Sequence, residues 1–255
     1  MDWLWRLTQW TVKPALYIVA FGTVWAFIQR TLHRVLARQL YRPSGFFGKV
    51  IIPEVMNQMN LKLIEAAIEE LDTSGMEVKD ILEVGCGSGT AFKVLMNKFR
   101  DARIQAVDHS SEIIEYCNEK YLKEIQGESI TLHLCNILEM PFTDKSFDMV
   151  IGLDILHMFS DRNQLMVELK RQVRPGGWII IGVKNPSYYI REPEIQSGIH
   201  LGLYKVPTVL DVVDLLVKYG FKDVHPAKSQ INDILSQVED SQINLILVYA
   251  RLSQL

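Results

Sequence analysis

From residue 80 onward two hydrophobic patterns alternate. Short apolar runs bounded by Gly, Asp or Asn read as buried strands, and stretches with apolar residues three and four apart read as amphipathic helices. Ile81–Val84 is the first such run, followed by Arg103–Val107, Ile130–Leu134, Phe147–Leu153 and Trp178–Val183. Between them lie helical patterns through Ala91–Leu95, Glu112–Tyr116 and Leu165–Val173, and a further helix opening at Thr208 and stopping near Gly220. Phe147–Leu153 is almost continuously apolar, as a strand covered on both faces should be. Two late runs, Phe221–Val224 and Ile243–Tyr249, complete the set. Strand–helix alternation of this kind predicts an α/β fold: a doubly wound, mostly parallel sheet of about seven strands. Ser110 is the expected N-cap of the second helix, and Asp161 with Gln164 has capping-box spacing before the third.

Upstream the pattern changes. Pro14–Gln29 carries no charge over sixteen residues and is followed by Arg30, Arg34, Arg38 and Arg42. As a helix those sixteen residues reach about 24 Å, short of the ~30 Å hydrocarbon core, and counting from Trp10 reaches about 30 Å. Trp3, Trp5 and Trp10 cluster before the run as interfacial aromatics would. The segment reads as a membrane anchor over residues 1–40, either spanning or lying in the interface; packing on the body is the third alternative. The arginines after it place the body on the cytoplasmic side. Residues 41–75 form a turn-rich joint and a helix bearing Met56, Met59, Leu63 and Ala67. Methionines at that spacing are expected in the core. Phe46 and Phe47 in the joint are either linker or a cap over a substrate mouth.

Charge sharpens this division. Residues 1–50 hold seven Lys/Arg against one acid, a net +6, while the rest holds twenty basic and twenty-nine acidic side chains, a net −9. An anionic surface suits the arm alone, and the body is a poor nucleic-acid binder. Cys86, Cys117 and Cys135 show no C-x-x-C spacing, and no His, Cys, Asp or Glu cluster has metal-ligand spacing. Nothing in the pattern bears on oligomeric state.

The chemistry concentrates where the first run breaks: Glu83-Val84-Gly85-Cys86-Gly87-Ser88-Gly89. Glycines at alternate positions differ from the dinucleotide spacing G-x-G-x-x-G, and a carboxylate two residues ahead suits a cationic ligand better than a diphosphate. Asp108, ending the second strand beside His109, is placed to accept from ribose hydroxyls or to cap a helix. This E-x-G-x-G-x-G resembles motif I of class I S-adenosylmethionine-dependent methyltransferases, whose fold is Rossmann-like. The likeness extends through Asn136-Ile137-Leu138-Glu139-Met140-Pro141-Phe142, Leu156-His157 and Arg174-Pro175-Gly176-Gly177, as in the type 11 branch. It implies S-adenosylmethionine held by Glu83, Gly85, Cys86, Gly87, Gly89, Asp108 and His109, with Asn136 and Ile137 at the adenine and Leu153 near the sulfonium. Asn136 stands where the family carries Asp, and its carbonyl can still accept from the adenine amino group.

His157 is the best candidate base, a satisfied histidine at a helix start being the alternative. His133 is read as structural. The long connection 184–207 is expected to be a substrate lid, with Tyr188, Tyr189 and Tyr204 as acceptor contacts. The whole, a methyltransferase domain over 76–255 behind the membrane arm, implies methyl transfer to a lipophilic small molecule such as a quinone precursor, phospholipid or sterol-like compound. A soluble or protein acceptor, or a non-catalytic cofactor-binding assembly factor, is the alternative reading. A nicotinamide oxidoreductase is disfavoured by the glycine spacing.

Overall fold

A computed structural model describes residues 13–69, 71–185, 189, 191–226 and 245–253, with backbone only for 13–18 and 20. Helix α1 (Lys13–Tyr41) leads through a π-helical turn (Phe47–Ile51) into α2 (Ile52–Glu69). The alternating part follows as β1 (Asp80–Val84), α3 (Phe92–Lys98), β2 (Arg103–Asp108), α4 (Ser111–Lys120), α5 (Leu122–Gln126), β3 (Ile130–Leu134) and β4 (Phe147–Leu153). It ends with α6 (Arg162–Gln172), β5 (Val173–Lys184), α7 (Pro193–His200), α8 (Val209–Lys218), β6 (Phe221–Pro226) and β7 (Leu245–Leu252).

The seven strands form one sheet in the order β3-β2-β1-β4-β5-β7-β6. The first five pair in parallel, and β7 is antiparallel to both β5 and β6. The order reverses between β1 and β4, so their carboxyl ends face the crevice where ligands bind in such sheets. Alternate strand residues serve opposite faces. Ile81, Met149 and Ile151 face α2, α3 and α4, whereas Leu82, Val84 and Val150 face α6 and α8. β5 is longer than expected because the Pro-Gly-Gly turn is absorbed into its start, bulged against Phe147–Met149.

Caps explain several boundaries. Ser110 accepts from Ile113 N at the start of α4, and Thr208 forms a capping box with Asp211 ahead of α8. Asp161 caps α6 by accepting from Asn163 N and Gln164 N, without the reciprocal Gln164 bond of a box. His133 is structural as expected: its Nε2 lies 2.6 Å from Gln105 Oε1, and its ring packs edge-on to Phe142.

The spanning anchor is not met among the described residues, where no helix is long and apolar enough to cross a membrane. The physical reason lies in α1 itself, whose arginines recur every turn from Arg30 onward. Its C-terminal end instead packs on the body, with Ala37 and Leu40 buried and Tyr204 Oη donating to Ala37 O at 2.8 Å. Trp3, Trp5 and Trp10 lie outside the described residues.

Candidate functional site

Glu83 is brought to the site by β1, an apolar strand that sets it within the sheet with its side chain nearly sealed from water. The glycine loop then turns back over β2. Gly85 N and Cys86 N both donate to Val107 O, Tyr121 Oη donates to Gly89 O at 2.7 Å, and Cys117 Sγ donates to Gly87 O. Gly89 shows why only glycine serves: its φ is +68°, and a Cβ there would lie 2.6 Å from the Tyr121 ring and 2.7 Å from Phe92.

Asp108, ending β2, accepts from Gly87 N at 3.1 Å through Oδ2 and from Ser110 N at 3.0 Å through Oδ1. Each carboxylate oxygen has a further lone pair for a ribose hydroxyl. His109 Nδ1 lies 3.5 Å from Asp108 Oδ1, and its ring meets Tyr41 edge-on. Asn136 begins the next wall: its Oδ1 accepts from Leu138 N at 3.1 Å and caps the short turn Ile137–Glu139. One lone pair of that carbonyl is therefore spent locally. Arg171 supports this wall from α6 by donating to Met140 O and Phe142 O while paired with Glu168.

These pieces line one cavity of about 820 Å³ that includes Glu83, Gly85, Cys86, Gly87, Asp108, His109, Asn136, Ile137, Leu153, His157 and Tyr204. Gly89 lies behind the loop, where it shapes the turn. Phe46 and Phe47 are a correction: they are 72% and 63% exposed and take no part in the lining. Gly48 packs against the Pro43 backbone, so the adjoining phenylalanines point outward. The cap is made instead by Leu40, Tyr41, Arg42 and Pro43, which do line the cavity, with Ser110 Oγ donating to Pro43 O. Tyr189 is buried behind the lining rather than in it, and Tyr188 lies outside the described residues.

Three residues escaped the sequence reading on the cofactor side. Met56 and Met59 of α2, expected in the core, line the cavity, as does Asn60. Asn60 Oδ1 and Glu83 Oε2 are both buried acceptors with no hydrogen-bond partner. Burial, and then the charge of Asp108, pushes the Glu83 carboxyl up from 4.5 to about 8. Burial raises Asp108 as well, against the bonds from Ser110 and Gly87 that lower it. Two orphaned acceptors, one of them on Glu83, beside the buried Asp108 carboxyl call for a cationic donor. The ammonium and sulfonium of S-adenosylmethionine are that chemistry, and the residues present fit it.

A second cluster sits across the cavity at the ends of β4 and β5. Asp154, at a φ of +56°, follows β4, and Lys184 ends β5. Lys184 Nζ lies 2.8 Å from Asp154 Oδ2, and Tyr189 Oη donates to Asp154 Oδ1 at 2.8 Å. His157, 4% exposed, has its Nδ1 3.3 Å from Asp154 Oδ1, an ion-pair distance without the alignment of a finished hydrogen bond. Burial would raise the Asp154 carboxyl, but Lys184 and His157 outweigh it and hold it well below the usual carboxylate range. Tyr204 packs edge-on to His157 at 4.9 Å. Among the described residues no group of His, Cys, Asp and Glu is arranged to hold a metal.

The chain matches known proteins over this region. Residues 82–181 match the family described as Methyltransferase domain. The fatty-acid O-methyltransferase of Mycolicibacterium smegmatis is 29% identical over 143 residues, 54% of this chain and 48% of that one. This chain therefore spans about half of that relative's length. Among solved structures, a SAM-dependent methyltransferase from Aquifex aeolicus superposes with a TM-score of 0.57 at 18% identity, covering 78% of this chain and 98% of that one. Human N-acetylserotonin methyltransferase in complex with SAM gives 0.61 at 17% identity, covering 81% and 56%. With the E-x-G-x-G-x-G turn, the strand order and this family match, residues 82–181 are a class I S-adenosylmethionine-dependent methyltransferase domain of the type 11 branch.

Proposed function

We propose that this chain transfers a methyl group from S-adenosylmethionine to a lipophilic small molecule at the cytoplasmic face of a membrane. The observation that carries the cofactor half is the pair of orphaned buried acceptors, Glu83 Oε2 and Asn60 Oδ1, in one cavity with Asp108. The cofactor when bound supplies an electrophilic methyl on a positive sulfur. The protein's own work is to grip that charge through Glu83 and Asn60, orient the ribose through Asp108, and exclude water.

The acceptor half is supported by what else lines the cavity. Leu138, Met158, Phe159, Ile195 and Tyr204 give an apolar end beside His157, our candidate base. At about 820 Å³, the cavity lies high in the range of roughly 300–1,000 Å³ for small-molecule sites. That size leaves room for an acceptor next to the nucleoside. A relative named for fatty-acid O-methylation agrees with an apolar acceptor. For the membrane half the support is α1, which exposes Phe21, Val24, Trp25, Phe27, Leu32 and Val35 among Arg30, Arg34 and Arg38. Apolar residues interleaved with arginines suit an interfacial helix on anionic lipid.

Calorimetry with S-adenosylhomocysteine tests the cofactor, and a protein that fails to bind it refutes the reading. Incubating the protein and membranes with radiolabelled S-adenosylmethionine, then separating lipid from protein, tests the acceptor; label found only in protein sinks a lipophilic acceptor. Flotation with phosphatidylserine vesicles tests the arm, and a protein that stays at the bottom of the gradient removes the membrane.

A further inference from the structure

We infer that Asp154, Lys184 and Tyr189 are positioning residues that make His157 a proton acceptor, and that the group methylated is a hydroxyl rather than a carboxylate. This deepens, and rests on, the methyltransferase reading above.

The geometry carries the argument. Asp154 occupies the left-handed region at φ +56°, sparsely populated for residues other than glycine, and is held there by Asp154 N donating to Gly182 O. That conformation delivers its carboxylate to three partners at once, Lys184 at 2.8 Å, Tyr189 at 2.8 Å and His157 at 3.3 Å. Fold stability alone gives no reason for such a cluster, since apolar packing would serve as well as a buried charge pair. A base mechanism does. Lys184 and Tyr189 fix an ionised carboxylate beside an imidazole that lines the cavity, so positive charge gained by the ring has a counter-charge in place. The other charged or titratable groups facing the cluster are Arg162 at the start of α6, Tyr204, and Glu192 and Glu194 around α7.

The acceptor class follows from the proton. A carboxylate arrives already ionised and needs no base. A hydroxyl is a poor nucleophile until its proton leaves. In the balanced step, the acceptor O–H proton passes to the His157 imidazole and an oxygen electron pair forms the O–CH3 bond. The electron pair of the broken S–CH3 bond stays on sulfur and cancels its charge.

The test uses the full chain, radiolabelled S-adenosylmethionine and three probes of equal chain length: a 4-alkylphenol, an alkyl-substituted nitrophenol ionised at the assay pH, and laurate. At neutral pH the alkylphenol kcat should fall by about 10²–10⁴ in Asp154→Asn and in His157→Gln, with little change in KM. The pre-ionised nitrophenol should lose less than about tenfold, because it brings no proton to remove. A readout without turnover accompanies it. With S-adenosylhomocysteine bound, a nitrophenol of near-neutral pKa should show its phenolate absorbance at mildly acid pH on the parent protein and lose it on either variant. Asn keeps the shape and the left-handed tolerance of Asp154, and S-adenosylhomocysteine affinity checks that each variant is folded. Equal losses on both phenols overturn the proposal, as does transfer to laurate with none to the alkylphenol. A parent protein that binds S-adenosylhomocysteine yet methylates neither phenol overturns the hydroxyl assignment alone, whereas failure to bind it overturns the cofactor reading beneath.

Discussion

Glu83 sets up a proton-linked cofactor site whose size follows from its burial. Its carboxyl lies at about 8 instead of 4.5 because it is enclosed and faces Asp108. Each step of one in pKa is worth about 1.4 kcal/mol, so ionising Glu83 in the free protein costs about 1.4 kcal/mol at pH 7 and about 2.8 at pH 6. The ammonium at the amino-acid end, which S-adenosylhomocysteine keeps although it lacks the sulfonium, selects the ionised form. Affinity for S-adenosylhomocysteine should therefore rise by roughly fiftyfold from pH 6 to pH 8, with uptake of the ligand releasing close to one proton at the acid end. Calorimetry in two buffers of different ionisation enthalpy reads both quantities. In Glu83→Gln the affinity at pH 8 should fall while most of the pH slope disappears. The free protein gives an independent check on the sign. A carboxyl raised on folding contributes stability that is complete below its unfolded pKa near 4.5 and is lost as pH rises through about 8. Glu83→Gln should therefore stabilise the unliganded protein more at pH 8 than at pH 5, by at most about 3.5 kcal/mol. A flat affinity between pH 6 and 8, or the same slope in the Gln variant, would refute the reasoning.

Other positions give sharper structural tests. Gly89→Ala, with φ +68° and rings under 3 Å from the new methyl, should lower the melting temperature, with a cost above about 1 kcal/mol; an unchanged melting curve counts against the loop geometry. Arg171→Met frees the carbonyls of Met140 and Phe142 and leaves Glu168 without its cationic partner, so urea unfolding should show a loss of about 1–3 kcal/mol together with weaker cofactor binding. Tyr204→Phe removes only the bond to Ala37 O and should cost about 0.5–1.5 kcal/mol in the same assay. No measurable loss would mean that α1 is not held through that bond.

The cofactor half of the site was legible because its parts are local. Glu83, the three glycines and Asp108 lie at the carboxyl ends of two consecutive strands, where spacing singles them out and the likeness to motif I supplies their roles. The acceptor half was legible only in part: His157, Tyr189 and Tyr204 were named, but not the cluster that Asp154 gathers. Asp154, Lys184 and Tyr189 are scattered over the chain and meet only through the parallel pairing of β4 with β5, in which Leu153 stands opposite Gly182. A signal did exist: a lone acid after FDMVIGL and a lone lysine after WIIIGV, opposite charges ending two neighbouring apolar strands. Phe46 and Phe47 misled because bulky apolar residues in a joint suit a lid and an outward face equally, and Gly48 against Pro43 decides between them. Met56 and Met59 carry a helical stripe that serves core and cavity at once, which periodicity cannot divide.

Helix α1 has one more consequence. Because Leu40 through Pro43 wall the chamber and Tyr204, whose ring packs on His157, bonds α1 at Ala37, the arm is masonry. Trimming it to obtain a better-behaved fragment would spare every strand and still leave the chamber with a missing side, so a shortened protein that folds yet sits idle would say little about the whole.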